Sequence, residues 1–155
     1  MEGLERLLAE HPFFYGTDDA DLALVVGCAR NVRFAPGQYL FREGEPADRF
    51  YVVREGRIAL EVYAPAKGAI VIDTAGPGEI VGVSWLFPPY RWELDARATG
   101  DVRAVALDGS CLRSKCEENP RLGYALMKRL SEVDHRRRQS VQARLVDVYA
   151  DDRAG

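Results

Sequence analysis

Apolar positions change their spacing twice along this chain. Over the first thirty residues they recur at helical intervals. Leu4, Leu7 and Leu8 form a short stripe that Pro12 interrupts, and Leu22, Val25, Val26 and Ala29 form a second that runs to Arg30. Thr17 followed by Asp18 and Asp19 predicts the start of that second helix, a hydroxyl cap with acids at the positive end of the dipole. From Asn31 the interval shortens to two. The runs NVRF, QYLFR, RFYVV, RIALEVY, AIVIDT and DVRAVAL alternate with turn signals at 36–37, 43–46, 55–56, 65–68 and 76–78. Such spacing predicts a compact all-β unit, a barrel or double-sheet roll. Within RIALEVY, Ile58, Leu60 and Val62 share one face, and Ala59, Glu61 and Tyr63 share the other. Glu55-Gly56 predicts a tight hairpin with Gly56 at positive φ.

Helical spacing returns at about Gly109. The segment GSCLRSKCEEN leads to Pro120, which suits a first helical turn. Beyond it Leu122, Leu126, Leu130, Val133, Val141, Leu145 and Val148 trace one stripe, broken by the polar interval 134–140, where Arg137 takes the seam position. A continuous helix of this length extends about 45 Å, and its far end has no core of its own chain to enter. The expectation is a homodimer through residues 120–149, with those seven residues at the interface. A break at the polar interval would instead fold the last segment back on its own domain. The chain divides accordingly into a domain at 1–119 and a long C-terminal helix with a short tail at 120–155.

A length of 155 residues and a hydrophobic content of 47% fit one domain with a real core. Lys and Arg number 21 and Asp and Glu 24, a net charge of −3. The charge is uneven: residues 121–144 carry seven Lys/Arg against Glu132 and Asp134, whereas residues 1–120 carry thirteen against nineteen acids. An acidic body with a basic C-terminal arm is the result. The longest apolar run, 22–26, is far short of the ~18 residues of a membrane span. The acidic N-terminus does not resemble a secretory signal, so a cytoplasmic protein without a membrane partner is expected. Cys28, Cys111 and Cys116 are an odd number without CxxC spacing, which predicts reduced thiols. Cys111 and Cys116 do not share a helix face, and His11 and His135 are remote from them, so no metal or redox site is expected. No cofactor is implied. Paired-carboxylate, Ser/His, Cys/His, Walker and GxGxxG signatures are all missing, which argues against an enzyme.

The run FAPGQYLFREGEPADRFYVVREGRIAL resembles the first half of the cyclic-nucleotide-binding domain, the sensor of catabolite-activator-type regulators, kinase regulatory subunits and gated channels. Pro36-Gly37, Gly44, the hydrophobic strand 50–53 and Gly56 follow one another in that family's order. Gly76-Pro77-Gly78-Glu79 and Gly82 resemble the approach to its phosphate-binding cassette, so the likeness covers roughly residues 4–133. It implies a β-roll or jelly roll (a double-stranded β-helix) with flanking helices and a long C-terminal helix. It also implies a cassette at Gly82, Val83, Ser84, Trp85, Arg91 and Trp92. The family places a Glu after the cassette glycine to hold the ribose, and this chain has Val83. The family's phosphate Arg is followed by a small residue, and here Arg91 is followed by Trp92, with Trp92 in the frame that the Arg should occupy. Trp85, Tyr90 and Trp92 either stack on a ligand or fill the pocket. Arg91 either binds an anion or pairs with Glu93 or Asp95.

The family's DNA-reading members carry a separate winged helix-turn-helix after this helix, and only VQARLVDVYADDRAG remains here. The cluster His135-Arg136-Arg137-Arg138 is therefore expected to be a solvated face or a surface for an acidic protein partner rather than a DNA contact. The reading is a non-enzymatic regulatory or ligand-sensing module with a divergent cassette, holding a cyclic nucleotide or other small phosphorylated anion weakly or not at all. Two alternatives stand beside it. One is a working cAMP or cGMP sensor that uses Ser84 and Arg91. The other is a component of a transcription regulator that reaches DNA through 136–138 or through a partner.

Overall fold

The computed structural model describes residues 3–154. Two short helices open the chain, α1 (Gly3–Glu10) and α2 (Asp19–Val26), separated by a 3-10 turn at Pro12–Phe14. Eight strands follow: β1 (Ala29–Phe34), β2 (Tyr39–Phe41), β3 (Arg49–Glu55), β4 (Ile58–Ala64), β5 (Gly68–Ala75), β6 (Ile80–Val81), β7 (Asp95–Ala98) and β8 (Val102–Asp108). They form two antiparallel four-stranded sheets, ordered β1-β8-β3-β6 and β2-β7-β4-β5. The chain closes with α3 (Gly109–Glu118) and α4 (Pro120–Ala154). This is the expected jelly roll with flanking helices. No helix among the described residues is long and apolar enough to cross a membrane.

Strand β3 explains how the layers hold together. Its side chains alternate between two cores. Tyr51 and Val53 point between the sheets and join Ile58, Leu60, Ala96, Ala98, Ala104 and Ala106. Phe50 and Val52 point the other way and pack with Leu8, Phe14, Leu22, Val25, Leu112, Leu122, Leu126 and Leu130 of the helices. At 50–53 the strand is covered on both faces and every position is apolar, which is why FYVV reads as a continuous run. The β3–β4 hairpin turns at Gly56, whose φ is +91° and where a Cβ would sit 2.2 Å from the carbonyl oxygen of Asp101. Only glycine fits there.

Several expectations are corrected by the fold. The cap of α2 is Asp18, not Thr17: the Asp18 carboxylate accepts the Asp21 amide at 3.0 Å, the spacing an N-cap needs. That helix ends at Val26, and Ala29 and Arg30 already belong to β1, where they pair with Leu107 and Ala106. Glu61 lies on the face of β4 opposite Leu60. It is buried and holds the Arg97 guanidinium through two hydrogen bonds of 3.0 and 3.1 Å, the forked pairing that makes a buried acid tolerable. Two strands, β6 and β7, were absent from the expected set; one has two residues and the other carries Asp95 and Arg97 among alanines.

The cysteines give the largest correction. Cys28 and Cys111 form a disulfide across 83 residues of sequence, with Cα atoms 5.7 Å apart. The antiparallel pairing of β1 with β8 sets Ala29 opposite Leu107 and so brings the flanking cysteines together. Cys116 is the free thiol among the described residues. The polar interval 134–140 does not break α4, which runs without interruption for 35 residues.

Candidate functional site

Two cavities flank residues 82–94, the connection from β6 to β7. The outer one, about 490 Å³, lies between Phe87, Pro88, Pro89 and Arg91 on one side and Met127, Ser131, Asp134 and His135 of α4 on the other. The inner one, about 340 Å³, lies between the second sheet and α4. Phe41, Leu60, Ile72 and Trp92 line its walls, and Asp73, Asp134, Arg137 and Arg138 meet at its edge. Val83, Ser84 and Glu93 line both cavities.

Gly82 begins the connection at φ +102°, and a Cβ there would meet the Trp92 ring at 2.8 Å. Conformation and space both demand glycine. Val83 and Ser84 then start a 3-10 turn at Ser84–Leu86. Trp92 is buried and stacks on Phe41 with 3.7 Å between centroids and 9° between planes. Its backbone is fixed as well, donating to Glu45 at 3.0 Å and accepting from Gly44 at 2.9 Å. The ring therefore fills the volume over the Gly82 backbone.

The three expected aromatic residues have separate fates. Trp85 touches neither cavity. It stacks on Phe50 at 5.2 Å in the helical core, and its carbonyl accepts a hydrogen bond from Arg113. Among the described residues its indole N–H is the one fully buried side-chain nitrogen or oxygen without a partner. Tyr90 lies at the surface at φ +55°, under the Arg113 guanidinium 4.5 Å from its ring centroid. Arg91 is exposed and donates to the Gly44 carbonyl at 3.1 Å. No ion pair with Glu93 or Asp95 is formed among the described residues. Asp95 instead accepts the Glu43 amide at 2.7 Å and lies 3.8 Å from Arg42.

Of the two arginines at the edge of the inner cavity, Arg137 is the one tied to the roll. Its guanidinium donates to the Ile80 carbonyl and lies 3.8 Å from the Asp73 carboxylate, both groups on the roll. Burial pulls this guanidinium below its usual value, and Asp73, Glu79 and Asp134 oppose the pull. Next to it Arg138 pairs with Asp134 one turn away. The sequence reading placed Arg137 on a seam between helices and missed its role here. A usable signal was present: 130, 134, 137 and 141 share one helix face, so the polar break marks where α4 crosses the cavity edge.

The stripe on α4 is divided. Leu122, Leu126 and Leu130 are buried in the chain's own core, and Val133 packs against it. Val141, Leu145 and Val148 are exposed, as are Val146 and Tyr149 beside them.

Comparison with known proteins matches residues 31–119 to the model of the cyclic nucleotide-binding domain. The chain is 28% identical over 152 residues to the CRP-like cAMP-activated global transcriptional regulator of Mycobacterium tuberculosis, covering 98% of this chain and 66% of that protein. It thus spans slightly less than two thirds of that relative. A structure described as a cyclic nucleotide-binding protein from Geobacter metallireducens GS-15 superposes with a TM-score of 0.77 at 31% identity, covering 88% of this chain and 98% of the other. The N-terminal domain of a transcriptional regulator from Streptomyces coelicolor A3(2) superposes with a TM-score of 0.67 at 30% identity, covering 88% and 94%. With its jelly roll, its long terminal helix and a family match over more than half its length, the chain belongs to the cyclic nucleotide-binding domain family.

Proposed function

We propose that this chain is a non-enzymatic, cytoplasmic regulatory module that does not hold cAMP or cGMP tightly and whose output runs through a protein partner. The observation that carries this reading is the Trp92 ring packed against the Gly82 backbone, where a Cβ would meet it at 2.8 Å. A cyclic phosphate approaching that glycine would have to displace a ring stacked on Phe41. Two further features support it. Val83 offers no acceptor to a ribose hydroxyl, and a lost charge-assisted hydrogen bond weakens binding by about 1.5–3 kcal/mol, roughly tenfold to a hundredfold. Arg91, the candidate that the family resemblance offers for the phosphate, bonds a backbone carbonyl and is exposed. In this reading the exposed far end of α4, with Val141, Leu145 and Val148, pairs with a second copy of the chain.

Calorimetric titration with cAMP and with cGMP tests the proposal. No heat is expected at ligand concentrations of a few hundred micromolar, and Val83→Glu alone does not restore binding because the Trp92 ring remains in place. The mycobacterial relative is described as cAMP-activated. Low-micromolar cAMP binding here would overturn the proposal in favour of a working nucleotide sensor.

A further inference from the structure

We propose that the inner cavity is a binding site for an uncharged, flat and mainly apolar small molecule. This rests on the preceding reading, in which the cassette does not take a nucleotide, and it names the ligand class for the space that is left.

The cavity has about 340 Å³, within the range of small-molecule sites. Its walls are Phe41, Leu60, Ile72, Val81, Trp92 and Leu94. Trp92 and Phe41 line it as one pair stacked on each other within 9°, and such a pair takes a further planar ring best in offset or edge contact. The charged groups at the edge are already partnered. Arg137 is held by Asp73 and by the Ile80 carbonyl, and Arg138 is held by Asp134. The remaining charged residue, Glu93, is exposed.

An anionic ligand would bind Arg137 only in competition with Asp73 and would meet the carboxylates of Asp134 and Glu93 at the same edge. That cost falls on any anionic ligand, phosphate and carboxylate alike. An uncharged ring pays none of it and gains by covering apolar surface. The same pairing holds α4 across the cavity, so a ligand that leaves the Arg137 contacts intact enters without moving the helix.

A matched pair of probes separates charge from shape: N-phenyl-1-naphthylamine, which is uncharged, and 1-anilinonaphthalene-8-sulfonate, the same ring system carrying an anion. Fluorescence titration of the full chain is expected to show saturable binding of the uncharged probe, one per chain. Its affinity should exceed that of the sulfonate at least about tenfold, and excess cAMP should not displace it. Ile72→Trp fills the cavity from the wall and should weaken the uncharged probe at least about tenfold. Gln142→Trp fills it from α4, at an exposed position outside the stripe assigned to the second copy, and should do the same. Far-UV circular dichroism checks the fold of both variants.

Sulfonate binding as tight as that of the uncharged probe would overturn the inference. So would uncharged-probe binding that both filling variants leave unchanged, because the probe would then sit on another apolar surface. If neither probe nor cAMP binds, this inference alone fails. If cAMP binds and displaces the probe, the reading of the cassette fails with it.

Discussion

Leu126 and Leu145 lie on one helix and in one apolar stripe, yet Leu126 is 3% exposed and Leu145 is 55% exposed. The first half of α4 is part of the domain. It packs on Phe50, Val52 and the N-terminal helices. Arg129 ties it down by donating to the carbonyls of Phe13 and Tyr15 at 2.5 and 2.9 Å. Among the described residues, the second half is hydrogen-bonded to the roll at Arg137, Val141 and Gln142 border the inner cavity, and every residue of 141–150 is exposed. A helix that continues with hydrophobic residues after leaving its own core keeps them for another surface. The difference separates what the stripe does for folding from what it offers to a partner.

The sharpest way to break this comparison is to truncate both leucines. Leu126→Ala is expected to destabilise the chain by about 2–5 kcal/mol, the range for large-to-small changes in a packed core. Leu145→Ala, measured at concentrations low enough to keep chains apart, should change unfolding by no more than about 0.5 kcal/mol. Leu145→Asp should shift the sedimentation coefficient from dimer to monomer at tens of micromolar and leave the unfolding of the single chain intact. Equal destabilisation by the two alanine variants in chemical denaturation would show that the far half also docks on its own domain.

The disulfide sharpens the same contrast. Replacing Cys28 and Cys111 together with serine should cost about 2–4 kcal/mol, as expected for the closure of a long loop. The loss should reach α4 through α3, which carries Cys111 and contacts the start of α4. Hydrogen exchange is therefore expected to speed up over 120–133 and to stay as fast as before over 141–149. Thiol titration of the untreated protein should find one slow group, Cys116, whose thiol burial pushes above its usual value.

The smallest expected effect is that of pH on the inner half. His11 is buried. Its Nε2 donates to the Val53 carbonyl at 3.0 Å and its Nδ1 accepts the Phe13 amide at 3.1 Å. This pattern needs the neutral imidazole. Burial lowers the folded-state value below 6.5, and the Val53 bond opposes that shift. The folded chain thus binds fewer protons than the unfolded one. The stability from His11 is complete above about pH 6.5 and is lost as the pH falls below it. Thermal unfolding should show a falling Tm on acidification that His11→Gln reduces. Because Phe13 also accepts from Arg129, the loss should loosen the first half of α4 before the second.

The roll itself was legible because its signals are short-range. Gly56 between two apolar runs needs no distant contact to be read as a hairpin, and the structure places it in one. The strand β7 escaped because its four residues hold no β-branched or aromatic side chain, only alanines alternating with Asp95 and Arg97. Their presence makes sense only once Glu61 and the Glu43 amide are known to face them. The disulfide escaped for a related reason: cysteine spacing along the chain carries no record of which strands pair. At the cassette, the residues 82–92 were found, but their directions were not. Whether a tryptophan points into a cavity or into a core depends on the backbone on either side, and Trp85 and Trp92 took opposite courses from one loop. Arg137 lay within a polar interval whose facing surface is 57 residues away at Ile80.

The bond between Cys28 and Cys111 also makes the chain a lasso in the mechanical sense. All eight strands lie between the two sulfurs, while α1, α2 and α4 lie outside the loop. Tension applied between the two ends of the protein would cross from residue 28 to residue 111 through the sulfurs and leave the roll unloaded. Pulling by its ends would peel away helices and stop, and the loop between the sulfurs would lengthen under the same force only after reduction.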